Sequence, residues 1–274
     1  GKEFFSKEYW GYALRIGIPI VPHYLSGIIL NQGDRIMIDK MVGKTEVALY
    51  GLAYSIGMLV QLFISGMNSA LTPWMYSKIK KGDIRSMRKV LQLLSVVVVG
   101  IAVALMLISP ELVLIFGSPK YREAVYVIPP VAASVFFIFI YNILSMPQFY
   151  YEKTQFLMAA SMAAAGANVV LNFIFIRLFG YIAAGYTTLA CYMLYSVGHY
   201  IVSKRILVNE GIQENLMNPG FLLACSVFLI GASIICNLIF PYRILRYAIL
   251  LASAGLVFWK KELLLKTMAD IRKK

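Results

Sequence analysis

The amino-acid sequence predicts an all-α protein, a polytopic transmembrane helical bundle of about eight spans. Of its 274 residues, 60% are hydrophobic and only 14% are charged, whereas about a quarter of the residues of a soluble domain are charged. The mean hydropathy is +0.73, and the charges are concentrated between long apolar stretches. A soluble enzyme is therefore disfavoured, and so is a nucleic-acid-binding protein, although the net charge is +13.

Eight apolar segments have about the length that a membrane-spanning helix needs, which is roughly 20 residues. They are 14–33, 47–74, 90–109, 124–150, 155–176, 181–202, 220–240 and 244–259. The polar connection 203–219, which contains Glu210, Gly211 and Pro219, separates six of these segments from the last two. We therefore expect a six-span lobe at 1–208, and two additional spans with a basic cytoplasmic tail at 209–274.

The distribution of basic residues predicts the orientation of the bundle. If the amino terminus is cytoplasmic, more than two thirds of the 26 Lys and Arg residues lie in or beside cytoplasmic connections, as the positive-inside rule requires. Trp10, Trp74 and Trp259 also fall at cytoplasmic span ends, where an indole can lie at the level of the lipid headgroups. We expect a multi-pass protein of the inner (cytoplasmic) membrane with both termini cytoplasmic. Membrane lipids are expected partners, because a basic residue beside the membrane attracts anionic headgroups by about 1 kcal/mol.

Polar residues inside a membrane must face protein or a water-filled cavity. They recur every four residues in the first segment, together with a glycine, at His23, Gly27, Asn31 and Arg35. Pro19 and Pro22 lie about one turn before this stripe and should kink or break the helix. Two interpretations are open: a broken transporter helix that lines a cavity, or a kinked helix packed among its neighbours.

The second segment has the longest polar stripe, which follows the 3.6-residue period over about six turns. Its members are Tyr50, Tyr54, Gly57, Gln61, Ser65, Asn68 and Thr72. A continuous polar face favours a water-filled passage over a helix contact, which needs only one or two polar residues. Shorter stripes include Asn168, Asn172 and Tyr192, and ordinary helix packing explains these at least as well. The third, seventh and eighth segments have almost no polar face and are expected to face lipid.

The sequence contains few residues that could carry catalysis or hold a cofactor. His23 and His199 are its only histidines, and neither they nor the three cysteines have the spacing of metal ligands. It has no Gly-rich phosphate-binding loop of the Walker type. Asp34 and Asp39 lie near a span end, but the external connections are too short to form a substrate-holding domain. We therefore expect neither an enzyme nor a metal or cofactor site.

Four short motifs occur in order along the first six segments. They are Asp34-Arg35-Ile36-Met37-Ile38, Ala48-Leu49-Tyr50-Gly51-Leu52-Ala53-Tyr54, Pro110-Glu111-Leu112 with Ile115-Phe116-Gly117, and Asn168 to Asn172 leading into Gly180-Tyr181-Ile182-Ala183-Ala184-Gly185-Tyr186-Thr187-Thr188. In order and spacing, from residue 14 to about residue 205, the chain resembles the oligosaccharide flippases of polysaccharide biosynthesis. This family belongs to the multidrug/oligosaccharidyl-lipid/polysaccharide exporter superfamily.

The resemblance implies two six-helix lobes related by a pseudo-twofold axis, sometimes followed by two extra helices, that work by alternating access. This sequence resembles the second, carboxyl-terminal lobe with the extra pair. The expected partner is therefore the missing amino-terminal lobe or a second copy of the chain. The resemblance also implies flipping of a polyprenyl-pyrophosphate-linked oligosaccharide across the membrane without covalent chemistry, through a cavity that is usually cationic.

Here the deep stripes consist mainly of Tyr, Gln and Asn, which can stack on sugars and hydrogen-bond to them. We expect the substrate path to be lined by Tyr50, Tyr54, Gln61, Asn68, His23, Asn31, Asn168, Asn172 and Tyr192. Arg15 and Arg35 are expected to bind the anionic headgroup at the two ends of the path. Arg15 is slightly better explained as one more residue that sets the orientation.

Three alternatives compete with this function. An ion-coupled small-molecule exporter of the same superfamily would need an intramembrane carboxylate, which the predicted deep spans lack. A membrane-bound glycan polymerase or transferase would need a large outer loop with catalytic residues, and the external connections provide none. The third alternative is a half that does not transport and acts only as an assembly partner.

Overall fold

The structure is a computed structural model that describes residues 6–259, and it confirms the all-α bundle. Within that range no residue is in a β-strand. The described chain forms nine α-helices and a 3₁₀-helix, Pro119–Val127, that leads into α5. The α-helices are α1 Lys7–Met41, α2 Lys44–Gly57, α3 Leu59–Lys80, α4 Ile84–Phe116, α5 Ile128–Tyr150, α6 Thr154–Phe179, α7 Ile182–Asn209, α8 Pro219–Ile239 and α9 Arg243–Trp259.

Each of the eight apolar segments lies mainly on one helix or, for the second, on α2 and α3 together. Six helical spans are long and apolar enough to cross a membrane. Four are single helices, namely α1, α4, α6 and α8, and two are formed jointly, by α2 with α3 and by the 3₁₀-helix with α5. α7 has the length, but Thr, Tyr and His lower its hydropathy, and most of these side chains lie inside the bundle. The division at residue 208 stays a prediction, and the basic tail, 260–274, lies outside the described residues.

Local sequence signals explain several helix ends. The Asp83 carboxylate accepts a hydrogen bond at 3.3 Å from the backbone N–H of Ser86 in the first turn of α4. The side-chain oxygen of Asn218 accepts one at 2.8 Å from the N–H of Gly220, with Pro219 in the first turn of α8. After α6 the chain turns at Gly180, whose φ of 73° is the left-handed conformation that glycine adopts most easily.

Of the two interpretations left open for the first segment, the broken helix is wrong, and the second segment is the one that is interrupted. α1 is continuous through Pro19 and Pro22. The second segment is divided at Met58, between α2 and α3. Gly57 is the last residue of α2, and a Cβ at this position would lie 2.6 Å from Cγ1 of Val131 on α5. Glycine therefore permits the close approach of α2 and α5 at this point.

α5 is the central helix of the described bundle, and every residue from Ile128 to Ile140 is buried. It packs against α2, α3, α4, α7 and α8, while α1 packs against α2 and α6. The third segment packs on the bundle with one face, because α4 buries thirteen of its 33 residues. α8 does present a mostly apolar exposed surface, with only Leu229, Ser233 and Cys236 buried.

One buried ion pair attaches α9 to the rest of the bundle. The Arg246 guanidinium is 3% exposed and binds the Glu111 carboxylate of α4 through two hydrogen bonds of 2.8 Å each. It also donates to the carbonyl oxygen of Leu107 at 2.6 Å, and the Tyr247 hydroxyl donates to Glu111 at 3.0 Å. Bidentate geometry makes this one of the strong forms of ion pair.

We predict that Arg246→Leu lowers the free energy of unfolding by about 3 kcal/mol, because it leaves the Glu111 carboxylate without its partner. Thermal unfolding in detergent, followed with a dye that reacts with newly exposed cysteine thiols, measures the effect. Arg243→Leu is the matched control, since Arg243 is exposed and lies one turn earlier on α9. Equal melting temperatures for the two variants would contradict the assignment.

Candidate functional site

A buried polar network surrounds Asp34 of α1, whose side chain is completely inaccessible to solvent. Its carboxylate accepts hydrogen bonds from the Tyr50 hydroxyl of α2, the Asn172 amide of α6 at 2.6 Å and the Thr188 hydroxyl of α7 at 2.7 Å. Four helices therefore meet at one carboxylate. A fully satisfied network of this kind fixes how the helices pack against one another.

Asn168 and Asn172 belong to the same network, because residues four apart on α6 lie on one face of the helix. The Asn172 amide donates to the side-chain oxygen of Asn168 at 3.1 Å, and Asn168 donates to Thr188 at 3.4 Å. The Thr187 hydroxyl donates to the side-chain oxygen of Asn172. The cluster is therefore rich in carboxylate, amide and hydroxyl oxygens, the ligands that hard cations prefer.

The structure shows surroundings of Asp34 that the sequence did not predict. α1 continues beyond this residue to Met41, and Asp34 is buried between helices. The sequence analysis placed Asp34 near a span end and did not predict that the bundle buries its carboxylate. Its position one turn after Asn31, on the polar stripe of the first segment, was a usable signal.

A second group of hydrogen bonds centres on Asn31, one turn before Asp34. Its side-chain oxygen accepts from the hydroxyls of Tyr54 at 2.7 Å and of Tyr192 at 3.4 Å. The Arg35 guanidinium lies over the Tyr54 ring, 5.3 Å from its centre, and donates to the side chain of Gln32 at 3.1 Å. Tyr54 of α2 is therefore held against α1 at Asn31, beside the half-buried Arg35.

A cavity of about 190 Å³ lies between α1, α5 and α7. Three expected path residues line it: His23, Asn31 and Tyr192. Tyr141, Asn142 and Ser145 of α5 also line it, although the sequence analysis did not select them. Their helix has a nearly continuous apolar sequence, so these few polar positions gave only a weak signal.

The two histidines lie at different depths beside this cavity. His23 lines it, and its Nδ1 is 3.1 Å from the Tyr195 hydroxyl. His199 is completely buried, with its Nδ1 2.7 Å from the amide nitrogen of Gln148, and its ring packs against those of Tyr141 and Tyr195. An aromatic cluster of α5 and α7 therefore forms one wall of the cavity.

Gln61 and Asn68 are not joined to the Asp34 network by any hydrogen bond within residues 6–259. Both are half-buried on α3, and Ser65 and Ser69 beside them are exposed. Each serine hydroxyl donates to the carbonyl oxygen four residues earlier, at 2.9 and 3.0 Å. The expected continuous stripe is thus divided: Tyr50 and Tyr54 lie in the core, and the rest follows a partly exposed face of α3.

The two basic residues of the expected path lie in different environments. Arg15 is exposed near the start of α1, and Arg35 is half-buried beside Tyr54. Twenty residues of helix separate them, which corresponds to about 30 Å. This distance is close to the hydrocarbon thickness of a bilayer.

Two curated proteins are similar to this chain over part of its length. Protein 1 of the Lsg locus of Haemophilus influenzae is 28% identical over 172 residues, which is 59% of this chain and 41% of that protein. An uncharacterized membrane protein of the same organism is 30% identical over 165 residues, which is 56% of this chain and 39% of that protein. The chain thus spans about two fifths of the length of these curated relatives. No solved structure matches it.

The family model described as MatE matches residues 19–174. This range begins in α1 and ends in α6, so it contains Asp34, Asn31 and the α5 wall of the cavity. Members of the family are membrane transporters and not enzymes. Since the match covers more than half of the sequence, the chain belongs to the MatE family, within the exporter superfamily that its motifs resemble.

Proposed function

We propose that the protein flips a polyprenyl-pyrophosphate-linked oligosaccharide across the cytoplasmic membrane by alternating access. The observation that carries this proposal is the cavity between α1, α5 and α7, where tyrosine rings and amide groups face a space inside a membrane bundle. Polar residues at such positions are costly and usually belong to a substrate path. Tyrosine and asparagine suit a carbohydrate, because they combine a flat apolar face with hydrogen-bonding groups.

The burial of individual residues refines the proposed path. We propose that His23, Asn31, Tyr192, Gln61 and Asn68 contact the substrate during transport, because all but Tyr192 are only half-buried and Tyr192 lines the cavity. The helices are instead held together around Asp34 by Tyr50, Asn168 and Asn172. Tyr54 holds α2 against α1 at Asn31.

The pyrophosphate would bind at the basic ends of the path, Arg15 or Arg35. The amino-terminal lobe, or a second copy of the chain, would supply the opposite wall. Both termini would then lie in the cytoplasm, in agreement with the distribution of basic residues.

We predict that Gln61→Leu combined with Asn68→Leu reduces transport at least about tenfold without loss of insertion, because the path loses two hydrogen-bonding groups. Purified protein in proteoliposomes, with fluorescent lipid-linked oligosaccharide in both leaflets, measures flipping as accessibility to an external lectin.

The matched control combines Gln155→Leu with Asn209→Leu, which removes the same two groups from exposed ends of α6 and α7. The control should flip the lipid at the wild-type rate. Normal flipping by the Gln61 and Asn68 variant would refute the assignment of α3 to the path.

A second candidate function is an ion-coupled exporter of small molecules, and the buried carboxylate of Asp34 favours it. Asp34 shares its cluster with the side-chain oxygens of Asn168, Asn172 and Thr188. A proton or a small hard cation that binds Asp34 would replace the hydrogen bonds that Asn172 and Thr188 now donate to its carboxylate. Release of that ion would free the donors to bind Asp34 again, and this exchange can change how α1 packs against α6 and α7.

For this candidate we predict that Asp34→Asn abolishes the dependence of transport on an imposed sodium or proton gradient, because an amide cannot bind the ion as a carboxylate does. Efflux of ethidium from proteoliposomes, with each gradient imposed separately, measures the coupling. Asp39→Asn is the control, since Asp39 is exposed on the same helix.

Gradient-driven efflux that persists in Asp34→Asn would contradict the coupling role. Thermal unfolding of both variants shows whether a loss of efflux reflects a loss of fold. Flipping of lipid-linked oligosaccharide by wild-type protein that exports no ethidium would favour the first proposal over the second.

A further inference from the structure

We propose that the cavity between α1, α5 and α7 is a binding site for a single uncharged sugar ring of the transported oligosaccharide. This inference rests on the proposed flippase function and assigns one step of it to a defined place. The cavity lies where α1 faces α5 and α7. α1 packs mainly against α2 and α6, whereas α5 and α7 pack against each other, so space is left between α1 and the α5–α7 pair.

The size of the cavity suits one ring. Its volume is about 190 Å³, and an engineered cavity of about 150 Å³ in another protein binds benzene. A six-membered sugar ring with its hydroxyl groups is larger than benzene, and the additional space is of the right order for it. A whole oligosaccharide does not fit, so the site would hold one sugar unit of the oligosaccharide at a time.

One wall of the cavity is a rigid aromatic surface. The rings of Tyr141 and Tyr192 are nearly parallel, with an angle of 8° and a centre-to-centre distance of 6.3 Å. Tyr141 also packs against Tyr195 at 4.5 Å. Packing among three rings fixes their orientation, and the C–H face of a sugar ring packs well on such a surface.

Hydrogen-bonding groups at the cavity are free to bind a ligand. The hydroxyls of Tyr24 and Tyr141 and the side-chain amide of Asn142 make no hydrogen bond to any residue of the described chain, 6–259. All three residues line the cavity. Between them they offer donors and acceptors, which matches the hydroxyl groups of a sugar.

The charge of the cavity favours an uncharged ligand. Among the described residues that line it, none is Asp, Glu, Lys or Arg. A pyrophosphate would find no basic partner there, and an organic cation would find no carboxylate. A neutral ring with several hydroxyl groups is the ligand that this combination of groups recognises.

Saturation-transfer NMR tests the site directly. The protein as encoded, in nanodiscs, is mixed with the methyl glycosides of glucose, galactose and N-acetylglucosamine, each present separately. We expect saturation transfer to at least one glycoside. Tyr141→Phe and Asn142→Leu should each raise the dissociation constant of that glycoside at least about fivefold, because each removes one hydrogen bond to the ring.

Two control variants make the same chemical changes away from the cavity. Tyr242→Phe changes an exposed tyrosine before α9, and Asn209→Leu changes an exposed asparagine at the end of α7. Both should bind the glycoside as wild-type protein does. Thermal unfolding of all four variants establishes that any loss of binding is not a loss of fold.

Absence of transfer to all three glycosides, or equal binding by the cavity variants and their controls, would overturn this inference. The lectin-accessibility assay separates its failure from failure of the proposed function. If wild-type protein flips the lipid-linked oligosaccharide but binds no glycoside, the proposed flippase function stands and the cavity site is refuted. If it binds a glycoside but flips no lipid, the cavity site stands and the flippase function is refuted.

Discussion

A carboxylate inside a membrane bundle needs hydrogen-bond donors from the protein itself, since the hydrocarbon around the helices offers none. Asp34 receives its three donors from α2, α6 and α7, so these helices must keep a fixed register with α1. This requirement explains why α1 is held against the bundle although few of its residues are buried. The position of α1 in turn defines the cavity, because α1 forms the side opposite α5 and α7.

The interior of the described bundle therefore has two polar regions with different properties. Around Asp34 the groups are charged or strongly polar, completely buried and fully paired. At the cavity they are neutral, aromatic and partly unpaired. Asn31 lies one turn before Asp34 on α1, where it lines the cavity and accepts a hydrogen bond from Tyr54 of α2.

The helices that form these two regions, α1, α2, α5, α6 and α7, lie within the residues that match the MatE family or directly after them. α8 and α9 contribute to neither region and contact mainly α4 and α5. The buried pair of Arg246 and Glu111 fixes α9 to α4 at a distance from both.

The sequence by itself determined the all-α class, the apolar segments and the family, because apolar length, helical period and short motifs are properties of adjacent residues. It also identified Asn31, Asn168 and Asn172 as polar residues on helix faces. Only the tertiary structure decided that Asp34 is buried, that the second segment is interrupted at Met58 and that Tyr141 and Asn142 face a cavity. The reason is physical: the partners of Asp34 lie 16, 138 and 154 residues away, and no local pattern specifies which helix faces will meet.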